Sequence, residues 1–136
     1  DVNSATVPSG VGTVVYDFVA TASDGSVTGF TASGSGISLG TDITEGAVLN
    51  SSTIRQTVTY VITPRITGSA VGADCSGSSV TVVMSIDPTP AVTSAGSDNI
   101  CSGSAVNYVP TGNVSGTIFN WTASNTVGTV SGFTAA

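Results

Sequence analysis

The 136-residue sequence contains no lysine and no histidine, and two arginines are its only basic side chains. Eight acidic residues give a net charge of −6, and charged residues make up only 7% of the chain. Nucleic acids and anionic membrane surfaces are bound through clusters of cations. No run of about 18 apolar residues is present that could span a bilayer. We therefore expect no nucleic-acid partner and no membrane insertion.

The absence of histidine also removes the base that serine and cysteine nucleophiles usually need, and no lysine can replace it. Two carboxylates alone can hydrolyse a glycoside, but the acidic residues here are scattered and form no motif. We interpret them as solvated carboxylates of turns and loops, and we predict that the chain is not an enzyme. The acidic residues in question are Asp17, Asp24, Asp42, Glu45, Asp74, Asp87 and Asp98.

Residues that could ligate a metal are few. Zinc sites need histidines or several cysteines, and the chain has two cysteines. Calcium takes several oxygen ligands, often from one loop, and no such loop motif occurs. The sequence therefore predicts no cofactor, and leaves calcium open only near Asp87 or Asp98.

Alternation with a period of two is the main pattern in the sequence. It is clearest at 54–62, 80–86 and 118–123, where β-branched and aromatic residues alternate with polar ones. Gly, Ser, Asn and Asp clusters between these runs supply turns. The pattern predicts an all-β, immunoglobulin-like β-sandwich. The rings expected to face inward and anchor the core are Tyr16, Phe18, Tyr60, Phe119 and Trp121.

Two stretches of the sequence recur at the same offset of 103 positions. Residues 14–20 align with 117–123, and 25–32 align with 128–135, so that Phe18 corresponds to Trp121. Matching aromatic and glycine positions in both stretches indicate a tandem repeat. We therefore expect one repeat followed by the opening third of the next.

The domain boundary is predicted at Pro88 and Pro90, which follow the alternating run 80–86. Proline cannot donate to a β-ladder and stiffens an extended segment. We place the first module at 1–88, with its first strand expected upstream of residue 1. The amino-terminal part of the next repeat is placed at 89–136.

These motifs, taken in order, resemble a known family. The segments that carry the likeness are VTYVITP (58–64), DCSG (74–77), the run 80–86, PTP (88–90), ICSG (100–103), FNWTAS (119–124) and GFT (132–134). Their order is similar to the PKD-like, immunoglobulin-like repeats of giant Bacteroidetes surface adhesins, including gliding-motility adhesins of the SprB type. Two departures are a longer segment between Arg65 and Asp74, and the lack of an ICSG segment in the first copy.

The resemblance implies type IX secretion, a place on the bacterial cell surface, and a role as stalk or filament in adhesion or gliding motility. Its partners would be neighbouring repeats of the same chain, with surface polysaccharide or other surface proteins as further candidates. Two other functions stay open. One is a carbohydrate- or protein-binding module, and the other is an accessory β-domain of a secreted enzyme.

Cys75 and Cys101 are the candidates for disulfide formation. In the expected sandwich, Cys75 precedes the last strand, at the end of the module where the first strand begins. We therefore expect Cys75 to pair with a cysteine upstream of residue 1, and Cys101 with the counterpart of Cys75 in the following repeat. A direct bridge between Cys75 and Cys101, or two buried thiols, are the alternatives.

Overall fold

Alternating β-branched and polar residues produce seven strands in the first 86 residues of the computed structural model, which describes residues 12–68 and 74–134. No helix occurs in those ranges. The chain divides into two units, Asp1–Thr89 and Pro90–Ala136. The strands are β1 (Thr13–Ala22), β2 (Val27–Thr28), β3 (Ser33–Ser38), β4 (Leu49–Asn50), β5 (Gln56–Thr67), β6 (Cys75–Ser76) and β7 (Val80–Ile86).

The main sheet of the first unit is antiparallel and is organised around β5, its longest strand. β1 pairs with one edge of β5 over its whole length, from Thr13 opposite Thr67 to Ala22 opposite Val58. β3 pairs with the far edge of β1. β6 and β7 follow one another along the other edge of β5, because β6 pairs with its end and β7 with its beginning.

The second layer is the short two-stranded sheet of β2 and β4. Val27 of β2 is buried against Phe18 and Ala20 of β1 and against Val58 and Tyr60 of β5. The rings of Phe18 and Tyr60 lie 5.9 Å apart, within the range for favourable aromatic pairs. The first unit is therefore an all-β, immunoglobulin-like β-sandwich, as the alternation predicted.

The segment 42–48 lies beside this core without forming a strand. Ile43 and Val48 pack against the core cluster from this segment. Gly29 has φ of +85°, and the carbonyl oxygen of Ala47 occupies the space where a side chain would lie. The turn after β2 is therefore built closely against the 42–48 segment, and only glycine fits there.

In the second unit, turns and one isolated bridge replace strands across 90–134. The bridge joins Val92 to Gly112, and Thr93 N donates to Thr111 O at 2.7 Å beside it. No residue between 90 and 134 is fully buried. Among all the residues that the structure describes, there is no helix long and apolar enough to cross a membrane.

Candidate functional site

An open, largely apolar region of the first unit lies on the core face of the main sheet. An open groove of about 700 Å³ lies between the 42–48 segment, β5 and β7. Val58 and Tyr60 form its buried floor, whereas Val82 and Met84 of β7 are 38% and 54% exposed. The groove therefore offers hydrophobic contact.

Glu45 is the acidic group that reaches from the 42–48 segment into the core. Its two carboxylate oxygens accept hydrogen bonds from Tyr60 Oη and from Thr31 N, both at 2.8 Å. Burial alone would raise the pKa of Glu45, but these two bonds outweigh it and lower the pKa. Burial, followed by the bond to Glu45, raises the pKa of Tyr60 to about 12. Glu45 therefore links the 42–48 segment to β5 of the main sheet.

A second polar cluster crosses the outer face of the same sheet. Arg65 of β5 donates two hydrogen bonds to Asp17 of β1, from Nε at 2.9 Å and from Nη2 at 3.2 Å, and a third to Asp74. Asp17 Oδ1 also accepts from Ser35 Oγ and Gly36 N of β3. Three strands and the start of the 74–76 segment are therefore joined through one guanidinium and two carboxylates.

The electrostatics of this cluster follow from its geometry. The hydrogen bonds from Arg65, then those from Ser35 and Gly36, hold the pKa of Asp17 well below its usual range. In turn, the bonds to Asp17 and Asp74 raise the pKa of Arg65. Both groups keep their charges across the ordinary pH range, so neither is suited to proton transfer near neutral pH.

The carboxyl-terminal end of β7 is held by two further polar interactions. Asn50, buried in β4, donates through Nδ2 to Ile86 O at 2.9 Å and to Ile54 O at 2.8 Å. Just beyond, Arg55 Nε donates to Asp87 Oδ1 at 2.6 Å, and this bond lowers the pKa of Asp87. At Asp87, one of the two places where the sequence left calcium open, the carboxylate is paired with a guanidinium.

The acidic residues correct one part of the sequence interpretation. The sequence predicts solvated loop carboxylates at Asp17 and Glu45, but Asp17 lies within β1, and both accept charge-assisted hydrogen bonds from residues of β5. Sequence reasoning missed the partnership of Asp17 with Arg65 because 47 residues separate them. Only the register of β1 on β5 places them on one face.

The predicted core rings separate into two groups. Tyr16, Phe18 and Tyr60 are buried, with 3%, 5% and 7% of their surfaces exposed. Phe119 is half-buried, and the structure differs from the sequence expectation at Trp121, which is 59% exposed. The alternation at 118–123 predicts a strand, but a strand needs a paired neighbour, and none forms there among the described residues.

Cys75 and Cys101 are both exposed, so neither thiol is buried. Cys75 lies in β6, opposite Ile66 near the end of β5. Cys101 lies in the second unit, where Ser104 N donates to its carbonyl oxygen. Pairing with cysteines outside this sequence stays a prediction.

Within 12–68 and 74–134, no group of three or more candidate metal ligands occurs. The described groove contains two acidic residues, Asp42 and Glu45, and both oxygens of Glu45 already accept hydrogen bonds. The groove offers apolar contact surface, and Glu45 links the 42–48 segment to β5.

Comparison with known proteins agrees with this geometry. The family profile described as PKD-like domain matches residues 3–90, which is well over half of the chain. No curated protein and no solved structure matches the chain.

Proposed function

The chain belongs to the PKD-like domain family, and from that premise we propose that it is a structural repeat of a large secreted surface protein, acting as a stalk or spacer in adhesion or gliding motility. PKD-like domains are typically non-catalytic β-sandwich modules of extracellular proteins. The proposed role as a stalk or spacer of an adhesin is supported by the way in which the first unit would carry force.

The observation that supports a mechanical role is where the chain enters and leaves the main sheet. Thr13, at the start of β1, lies opposite Thr67 at one end of β5. Ile86, at the end of β7, lies opposite Gln56 at the other end of β5. These two points are about 36 Å apart along the strand, at roughly 3.3 Å per residue.

This placement decides how the hydrogen bonds would be loaded. Tension along the chain would slide β1 and β7 lengthwise against β5, so many ladder bonds would share the load at once. Ten residue pairs join β1 to β5, and seven join β5 to β7. Loading in parallel suits a module that transmits drag along a series of neighbouring repeats.

Single-molecule force spectroscopy tests the proposal. Handles attached through Thr13→Cys and Ile86→Cys, in a Cys75→Ser/Cys101→Ser background, would load the ladders in shear. Handles at Thr13→Cys and Thr67→Cys, at one end of the sheet, would instead peel β1 from β5. We expect a several-fold higher unfolding force in the first geometry, and equal forces would contradict the proposal.

A carbohydrate-binding role is a second candidate because Trp121 is 59% exposed. An exposed indole can stack on a sugar ring and supplies a large apolar contact. Titration with surface polysaccharides, followed by the fluorescence of this single tryptophan, tests the role. Saturable quenching that a matched Tyr108→Ala variant retains would favour it, and unchanged emission would reject it.

A further inference from the structure

β7 is an edge strand with unusual properties. Among the described residues, β5 is its only partner, so its outer edge carries backbone groups without a ladder. Such edges are normally protected by charges, prolines or bulges, because they pair readily with other strands. The segment 75–86 contains no charged residue and no proline, and Val80, Val82, Val83 and Met84 are all more than a third exposed.

The charge distribution points to a second copy of the chain as the partner. A net charge of −6 would keep copies apart over most surfaces. β7 itself carries no charged residue, and Asp87 at its end is paired with Arg55. Two copies can therefore approach along this edge without bringing uncompensated carboxylates together.

The sequence of β7 is also complementary to itself. If two copies pair antiparallel around a two-fold axis through Val83, Asp87 of each copy lies opposite Ser79 of the other, not opposite another acid. In this register, the residues on one face of β7 pair with residues on the same face of the other copy, which favours cross-strand contacts between side chains. The resulting pairs are Val80 with Ile86, Thr81 with Ser85, Val82 with Met84, and Val83 with Val83.

We propose that β7 is a homotypic interaction surface, through which two copies of this module join their sheets edge to edge. The contact goes beyond the stalk function, because it connects chains side by side and not end to end. A seven-residue edge is small for a stable dimer, so the single contact is weak. Repeated along two chains that lie side by side and run in opposite directions, it would gain strength by multivalency and bundle them.

Matched lysine variants test the surface in the full chain. Val83 and Val19 are 57% and 59% exposed and point to the same outer face, but Val19 lies on the interior strand β1. We expect sedimentation velocity to show concentration-dependent dimers for the native chain and for Val19→Lys. Val83→Lys should weaken association by about tenfold or more, because two lysines would meet at the two-fold axis. A mixture of Val83→Lys and Val83→Glu should dimerise again.

Cysteine cross-linking tests the register independently. In a Cys75→Ser/Cys101→Ser background, Val83→Cys should form a disulfide with itself under mild oxidation. Paired residues in an antiparallel ladder lie about 4.5–5.5 Å apart between Cα atoms, within reach of a disulfide. Val80→Cys and Val19→Cys are controls and should cross-link at least several-fold more slowly. A monomeric native chain, equal association of both lysine variants, or equal cross-linking of all three positions would overturn the proposal.

Discussion

Gly34 lies directly opposite Phe18 in the pairing of β3 with β1, and the phenyl ring covers the glycine. A side chain at position 34 would collide with the edge of this ring. The pair explains how an edge strand made of Ser33–Ser38, which has only one large apolar residue, closes over a buried aromatic core. The ring replaces the packing that the glycine cannot supply.

Gly34→Ala should therefore destabilise the first unit by about 1–3 kcal/mol, because the buried Phe18 ring must leave its position. Urea denaturation followed by circular dichroism measures the free energy of unfolding. Gly46→Ala is the matched control, since a side chain there would meet nothing within 4 Å. If both variants unfold at the same urea concentration, the packing of Gly34 against Phe18 is not a stabilising contact.

Asn50→Asp should cost about 3 kcal/mol of unfolding free energy at neutral pH. The buried amide donates to the carbonyl oxygens of Ile54 and Ile86, and a carboxylate would place negative charge against both acceptors. Chemical denaturation at pH 7 checks this. Asn125→Asp is the exposed control, because Asn125 bonds only to the nearby Gly128 within 12–68 and 74–134. A loss equal to that of the control would contradict the role of Asn50.

Stability should fall as the pH drops below about 4. The pKa of Asp17 is depressed in the folded state, first by Arg65, so its contribution is complete above the unfolded pKa of about 3.9. That contribution is lost as the pH falls through the depressed value and the carboxylate is protonated. Between pH 7 and pH 2, the melting temperature of the native chain should fall more steeply with decreasing pH than that of Asp17→Asn. We call this dependence the acid slope.

Asp24→Asn serves as the control for the acid slope, because Asp24 bonds to Ser26 within its own turn and joins no two strands. It should change the slope less than Asp17→Asn does. Identical acid slopes for the native chain and Asp17→Asn would show that the link to Arg65 contributes nothing to folding.

Stability should also fall between about pH 10 and pH 12. The pKa of Tyr60 is raised to about 12, first by burial, above an unfolded value of about 10. A raised folded pKa contributes stability that is complete below pH 10 and is lost as the pH rises towards 12. Tyr60→Phe should flatten this alkaline loss, while lowering stability at pH 7 because Glu45 loses one donor. An alkaline slope that Tyr60→Phe leaves unchanged would reject the assignment.

The sequence by itself determined the fold class and the positions of β5 and β7. Alternation at 54–62 and 80–86 predicted strands that the structure places at Gln56–Thr67 and Val80–Ile86. This succeeds because a period of two in β-branched residues favours a strand with one buried face. β7 ends at Ile86, just before Pro88 and Pro90, because proline cannot donate to a ladder.

Only the tertiary structure decided which groups meet. Strand register, which no local pattern contains, brings Asp17 to Arg65. The path of the 42–48 segment brings Glu45 to Tyr60, and among the described residues the topology leaves the outer edge of β7 unpaired. Trp121 also shows that a local pattern does not determine tertiary contacts. Its alternating neighbours have the pattern of a strand, yet burial depends on a paired strand and an opposing layer, which the residues around it do not form.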